Sequence, residues 1–257
     1  MEVQRFALAV VVGVVMPAFG QSFNVDVGDP LPFGVPSDLY AAGAGQSGTW
    51  NAVSSGAFGF PLSDLSGAAT GVTLPNIGGL GNFSDDNGGT SGDDEALMDD
   101  LQNVGGGGAL ATWTFSGLAD GSYTVYTYAW APDTAAFVSE VTVPGSPDPP
   151  QLIGGDWPGG QVQGTTYALH TVDVAGGSLA VMVRTSKGFG SVNGFQLVSG
   201  AGEPCPWDLD GSGTVNILDL LALLADWGNV GVPADFDGGG VGITDLLILL
   251  ANWGACP

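Results

Sequence analysis

Positive charge is what this chain has least of. Its 257 residues carry three Lys and Arg against 26 Asp and Glu, a formal net charge of −23. Arg5, Arg184 and Lys187 are the whole basic complement. Nucleic acids and anionic membrane surfaces recruit proteins through clustered basic residues, so repulsion excludes both as partners. Cysteine is nearly absent, with Cys205 and Cys256 alone, and no second soft ligand lies near them to build a thiolate metal site. One histidine, His170, stands between Leu169 and Thr171 without a second His, a Cys or a serine-nucleophile motif. That argues for a strand residue rather than a metal ligand or catalytic base. Glutamate is also scarce. Long apolar runs are missing after the N-terminus, and Phe6–Val15 is too short to span a bilayer.

That first run has the form of an export signal. Arg5 precedes the apolar stretch, and Ala18-Phe19-Gly20 places small residues before Gln21, predicting cleavage of residues 1–20 and a secreted or cell-surface protein. In an oxidising compartment Cys205 and Cys256 favour a disulfide over two free thiols. The bridge would close a loop of roughly 50 residues, worth about 4 kcal/mol in the chain-entropy model.

What the chain does contain is a repeat. Asp208-Leu-Asp210-Gly-Ser212-Gly-Thr214-Val-Asn216-Ile-Leu-Asp219 runs into a Leu-rich segment ending Trp227-Gly228. Asp235-Phe-Asp237-Gly-Gly-Gly-Val241-Gly-Ile-Thr-Asp245 runs into another ending Trp253-Gly254. Hard cations such as Ca²⁺ take six to eight oxygens from flexible loops. In the first loop Asp208, Asp210 and Ser212 hold positions 1, 3 and 5, and Gly213 permits the turn. Thr214 offers its carbonyl, Asn216 ligates directly or through water, and Asp219 closes the site. The second loop is one residue shorter, with Asp235, Asp237 and Asp245 as ligands of weaker or altered geometry. The plainer alternative is two solvated turns with Asp capping each helix. Helical spacing puts Ile217, Leu220, Leu221 and Leu224 on one face, and Leu246, Leu247, Leu250 and Trp253 on another. Neither face can be buried alone, so the helices are expected to pack on each other, with Leu218, Leu223 and Ile248 widening the stripe.

A calcium loop followed by one helix, duplicated, resembles a dockerin module over residues 205–257. The CysPro…TrpGly…CysPro frame is similar to the variant that ends many secreted planctomycete proteins. The resemblance implies a calcium-dependent half EF-hand fold, and a cohesin-like or cell-surface scaffold partner. Ile217-Leu218 and Ile243-Thr244 occupy positions where that family commonly uses Ser/Thr pairs, so the partner-facing residues differ from the common pattern.

Residues 21–199 are expected to form an antiparallel β-sandwich of jelly-roll type, joined to the tail by a linker at 200–204; the fold class is mainly β with a small α-helical appendage. Alternating segments predict strands at Ala111–Phe115, Ser122–Trp130, Phe137–Val143, Thr165–Val174, Leu179–Thr185 and Val192–Val198. A turn over Gly117–Gly121 joins the first two. One helix is expected over Asp93–Val104, capped by Ser91, with Leu97, Met98, Leu101 and Val104 on one face. Leu118-Ala-Asp-Gly121-Ser-Tyr123 and Val192-Asn193-Gly194-Phe195-Gln196-Leu197 resemble segments of secreted galactose-binding or carbohydrate-binding sandwiches, which implies a polysaccharide ligand.

Tyr126, Tyr128 and Trp130 share one strand face; such a row stacks on sugars when exposed, but more often faces a core. An acidic run, Asp85-Asp86, Asp93-Asp94-Glu95 and Asp99-Asp100, reads as a solvated loop and helix start, or as a structural Ca²⁺ site. The function expected is a secreted non-catalytic sandwich anchored through a Ca²⁺-folded tail. The alternative is a dockerin-tagged glycoside hydrolase or lyase, for which Glu140 and Asp173 are the carboxylates to place.

Overall fold

The computed structural model describes residues 21–29, 31–54, 59, 61–200, 206–209 and 214–255. The expected signal peptide, the linker's last four residues, both cysteines, Asp210 and Ser212 lie outside the described residues. The chain divides into two compact units, one covering the described residues up to Gly200 and the other those from Pro206. The first carries β1 (Phe23–Val27), β2 (Trp50–Val53), β3 (Pro61–Ser63), β4 (Ala69–Thr73), β5 (Asn76–Gly78), β6 (Gly81–Ser84), helix α1 (Asp93–Met98), β7 (Asp100–Gly106) and β8 (Leu110–Ser116). It continues with β9 (Gly121–Tyr128), β10 (Val138–Thr142), β11 (Gln151–Gly154), β12 (Tyr167–Val174), β13 (Ser178–Lys187), β14 (Phe189–Val192) and β15 (Gly194–Ser199).

Two sheets make the sandwich. One has the order β12-β9-β15-β1-β2, antiparallel except for the parallel β1–β2 pair. The other runs β11-β10-β13-β8-β4-β3, with β5 also on β8. Alternation delivers Phe23, Val25, Tyr123, Val125, Phe195 and Leu197 from one sheet against Trp113, Phe115, Val141, Val181 and Val183 from the other, all within 1 % of full burial. Phe195 sits between Trp113 and Phe115, with ring centroids at 5.8 and 5.9 Å. A third sheet, β14-β7-β6, contributes Val104 and Val192 to the same core.

The outer face of the first sheet has its own cover. Trp50, Leu97, Met98, Tyr128 and Trp130 pack together with Tyr40, Tyr126, Trp157 and Tyr167. The aromatic row on β9 therefore lies beneath a loop and α1, and does not form an open sugar-stacking platform. Tyr128 is anchored at both ends of its hydroxyl: it donates to Gln196 Oε1 at 2.6 Å and accepts from the Gly43 amide at 2.7 Å.

The expected helix over Asp93–Val104 stops at Met98. Ser91 makes no cap, since the residue before the helix is Gly92, without a side-chain cap bond. Asp99 ends the helix, and Asp100–Gly106 pairs with both β6 and β14. Leu101 and Val104 are buried as expected, but from a strand: two ladders of backbone hydrogen bonds override the helical spacing. The expected strand Val192–Val198 is likewise split at Asn193. Its Oδ1 accepts from the Trp130 amide at 2.8 Å, while Nδ2 donates to the carbonyls of Met98 and Asp100 at 2.9 and 3.2 Å. Those bonds turn the chain from the third sheet into the first. Gly194 then passes so near β1 that a Cβ there would lie 2.4 Å from the Val25 carbonyl oxygen.

A pair of acids is buried beside this junction. Asp26 on β1 and Asp100 on β7 are 2 % and 0 % exposed, and neither oxygen of Asp100 finds a hydrogen-bond partner outside its own residue. Burial, with the charges of Asp29 and Asp99, pushes Asp100 up to about 8; burial and Asp100 raise Asp26 well above 3.8. Their folded forms hold protons more tightly than the unfolded chain does, so stability falls as pH rises through the window from about 4 to about 8. Urea unfolding of the sandwich is therefore expected to show a higher midpoint at pH 5 than at pH 8, and Asp26→Asn with Asp100→Asn to reduce that difference.

Candidate metal centre

The second unit contains β16 (Thr214–Val215), α2 (Ile217–Ala225), α3 (Ile243–Ala251) and β17 (Gly254–Ala255). Both helices begin where the repeat ends its loop. Asp219 and Asp245, each three residues past the helix cap, turn back onto the loop that precedes them and are fully buried. Asp219 Oδ1 accepts from the Leu209 amide at 2.7 Å and Oδ2 from Asn216 at 2.8 Å. Asp245 repeats the pattern, with Oδ1 accepting from Phe236 at 2.8 Å and Oδ2 from Gly242 at 2.8 Å. Asp237 adds a longer contact to Oδ1 at 3.3 Å. Burial acts to raise the Asp245 pKa, but the backbone donors Gly242, Phe236 and Asp237 outweigh it and hold the carboxyl below 3.8. Asp245 is therefore a carboxylate at neutral pH.

In the second loop one carboxylate oxygen from each of Asp235, Asp237 and Asp245 lies within 4.8 Å of the other two. Asp235 is fixed by the Gly231 amide at 2.9 Å and the Gly240 amide at 3.0 Å, and Asp237 by the Gly239 amide at 2.8 Å. The shortened loop thus converges its three acids. In the first loop Asp208 is half-buried, Thr214 lies on β16, and Asn216 caps α2 by accepting the Leu218 amide at 2.8 Å. The one-residue deletion falls between Phe236 and Gly242, since seven steps separate Leu209 from Asn216 and six separate their counterparts.

The repeated Trp-Gly has a structural cause. Val215, leaving loop one, pairs with Gly254 after α3. Val241, leaving loop two, pairs with the segment after α2: Gly228 donates to the Val241 carbonyl and Val241 to that of Asn229, both at 2.8 Å. Each loop is clasped by the chain that follows the other helix. Gly228 and Gly254 have φ of 85° and 122°, conformations that disfavour any side chain.

Helix packing differs from the expected faces. Leu223 and Leu249 are fully buried with Val215, Ala234 and Val241, and Leu220 and Leu246 pack against them. Ile217, Leu221, Leu224 and Trp227, and their repeats Ile243, Leu247, Leu250 and Trp253, are 46 to 64 % exposed. The loops themselves supply core residues, Trp207, Leu209, Val232 and Phe236, so the inward face turns toward them and away from the wider Leu stripe.

Elsewhere, the two carboxylates needed for glycoside hydrolysis do not meet. Glu140 lies on β10 opposite Leu152 and Arg184 in one sheet, and Asp173 on β12 opposite Ser122 in the other. Both alternate with buried residues and point away from the shared core. His170 is buried on β12, and burial lowers its pKa, leaving a neutral ring.

No family model matches the chain, and no curated protein matches it. Among solved structures it is similar to a Bacteroides uniformis β-glucuronidase, at 13 % identity and TM-score 0.40, over 70 % of this chain and 18 % of that one. It is also similar to a CBM35 from Cellvibrio japonicus Abf62, at 18 % identity and TM-score 0.29, over 51 % of this chain and 94 % of that one. A third is a Xyl-CBM35 in complex with a glucuronic acid containing disaccharide, at 19 % identity and TM-score 0.29, over 46 % and 84 %. The chain spans about a fifth of the length of the glucuronidase.

The reciprocal clasp makes a symmetric prediction. Gly228→Ala and Gly254→Ala should each destabilise the tail by about 1–2 kcal/mol, the cost of forcing an L side chain into a left-handed conformation. Thermal melts of the tail transition would read the two losses, which should be similar in size.

Proposed function

We propose that the tail is a dockerin-like Ca²⁺-binding module that anchors an exported, non-catalytic β-sandwich to a cohesin-like or cell-surface scaffold protein. The observation that carries this reading is the convergence of Asp235, Asp237 and Asp245 within 4.8 Å; the amide bonding of Asp245 is repeated at Asp219. Carboxylates held by backbone amides at both oxygens keep lone pairs for a hard cation. Asp208, Asp210, Ser212, Thr214, Asn216 and Asp219 are the proposed ligands of the first ion; Asp235, Asp237 and Asp245 are those of the second. At free Ca²⁺ of about 100 times the dissociation constant, one such site adds about 2.7 kcal/mol to the folded form.

The same reading accounts for the exposed helix faces. Ten large apolar residues of the described tail are exposed, eight of them in two matched sets, and clustered exposed apolar surface of this kind marks interaction sites. The matched sets give two equivalent faces on which a partner can seat. For the sandwich, a polysaccharide ligand is favoured by a hollow of about 200 Å³ lined by Phe83, Phe137, Phe189, Asn103, Asp133 and Ser191, with the rings of Phe137 and Phe189 5.5 Å apart. Aromatic walls with a few polar groups are the usual lining of a small-ligand site.

Retention on the envelope of the producing cell tests the anchoring role. The protein should be held in Ca²⁺ and released by EDTA, and Leu221→Asp with Leu247→Asp should abolish retention while Ca²⁺ uptake stays normal. Retention that ignores both the chelator and the double variant would reject the proposal.

A further inference from the structure

The acidic run of the sandwich separates into two groups with different work. Asp93 accepts from the Ser37 amide and hydroxyl at 2.7 and 2.9 Å. Asp94 accepts from the Tyr40 hydroxyl, and from Gln161 Nε2 at 2.9 Å. Those two acids tie α1 to the loop that covers the first sheet. Asp86, Glu95 and Asp99 do something else: one oxygen from each lies within 4.8 Å of the other two.

Asp99 is the informative member. It is fully buried, and its Oδ2 accepts from the Asn87 amide and from Thr90 Oγ1, both at 2.8 Å, while Oδ1 has no hydrogen-bond partner at all. An unpaired buried carboxylate oxygen is costly unless a cation or donor completes it. The neighbours that act on it electrostatically are two further acids, Glu95 and Asp86, and neither Arg184 nor Lys187 is among them. The surrounding loop is set independently of any ion: Asn87 Nδ2 donates to the Pro132 carbonyl at 2.7 Å, and its Oδ1 accepts from the Gly89 amide at 2.9 Å.

We propose that Asp86, Glu95 and Asp99 form a divalent-cation site of the sandwich, filled by Ca²⁺ and independent of the two tail loops. Three carboxylates on a short loop and the adjoining helix supply hard oxygen ligands, and water completes the shell from the side on which Asp86 is exposed. The ion would neutralise the orphaned Oδ1 and fasten the β6–β7 connection, whose next ladder pair, Phe83–Leu101, borders the aromatic hollow.

Calorimetric titration of the full chain with Ca²⁺, read beside amide exchange, tests this. Asp219→Ala with Asp245→Ala should leave one equivalent of Ca²⁺ bound, and adding Asp86→Asn or Asp99→Asn should weaken that binding at least tenfold. Amides of 85–99 should gain protection with Ca²⁺ in the parent and not in those variants. Asp86 is exposed, so its Asn variant decides the matter even if Asp99→Asn does not fold. Loss of all Ca²⁺ uptake in the tail variant, or binding unchanged by Asp86→Asn, would overturn the proposal and leave the tail sites standing.

Discussion

The second unit depends on a carboxylate that folds back from the first turn of a helix onto the loop before it. Asp219 and Asp245 each gather amides from two separated points of that loop. A loop rich in glycine gives up much conformational entropy when fixed, and a helix of nine residues is marginal alone. Binding both to one buried acid makes them a single cooperative piece. The hydrophobic core beneath, centred on Leu223 and Leu249, is small, so the hydrogen bonds these acids accept from the loop carry a share of stability that a larger domain would draw from packing.

The sandwich solves the same problem of unbalanced negative charge differently. With two basic residues in this unit, acids such as Asp93 and Asp94 are met by hydroxyls and by backbone or side-chain amides, and others are left to burial. Burial raises the proton affinity of Asp26 and Asp100, and Asp99 keeps one oxygen unmatched. Protonation and hydrogen bonding are two answers to one composition, and the proposed cation sites would be a third. Which answer applies follows from depth and from whether other carboxylates converge.

Much of this was legible in the residues. Period-two alternation located β8, β10, β12 and β13 because each has one face on a large core and a more exposed opposite face, and β9 because its core-facing residues alternate with the aromatic row under its cover. The tail repeat announced its own loops and helices. The short strands β1 to β6 were not legible, since each has five residues or fewer, Gly or Pro stands in β3 to β6, and β1 pairs with the distant β15. The helix expected over Asp93–Val104 failed where two strand ladders claimed Asp100–Gly106, a long-range pairing that local spacing does not carry. Helix faces in the tail were misjudged for a related reason. Leu221 and Leu224 fit the apolar stripe as well as Leu223 does, and only the positions of Trp207, Leu209 and Phe236 decide which side turns inward.

Amide hydrogen exchange at Leu223 and Leu249, compared with Val125 in the sandwich core, addresses the central claim directly. If a divalent ion completes the acids that hold loop to helix, chelation should collapse protection at both leucines and leave Val125 unchanged. Equal protection of Leu223 and Leu249 in Ca²⁺ and in EDTA would contradict it.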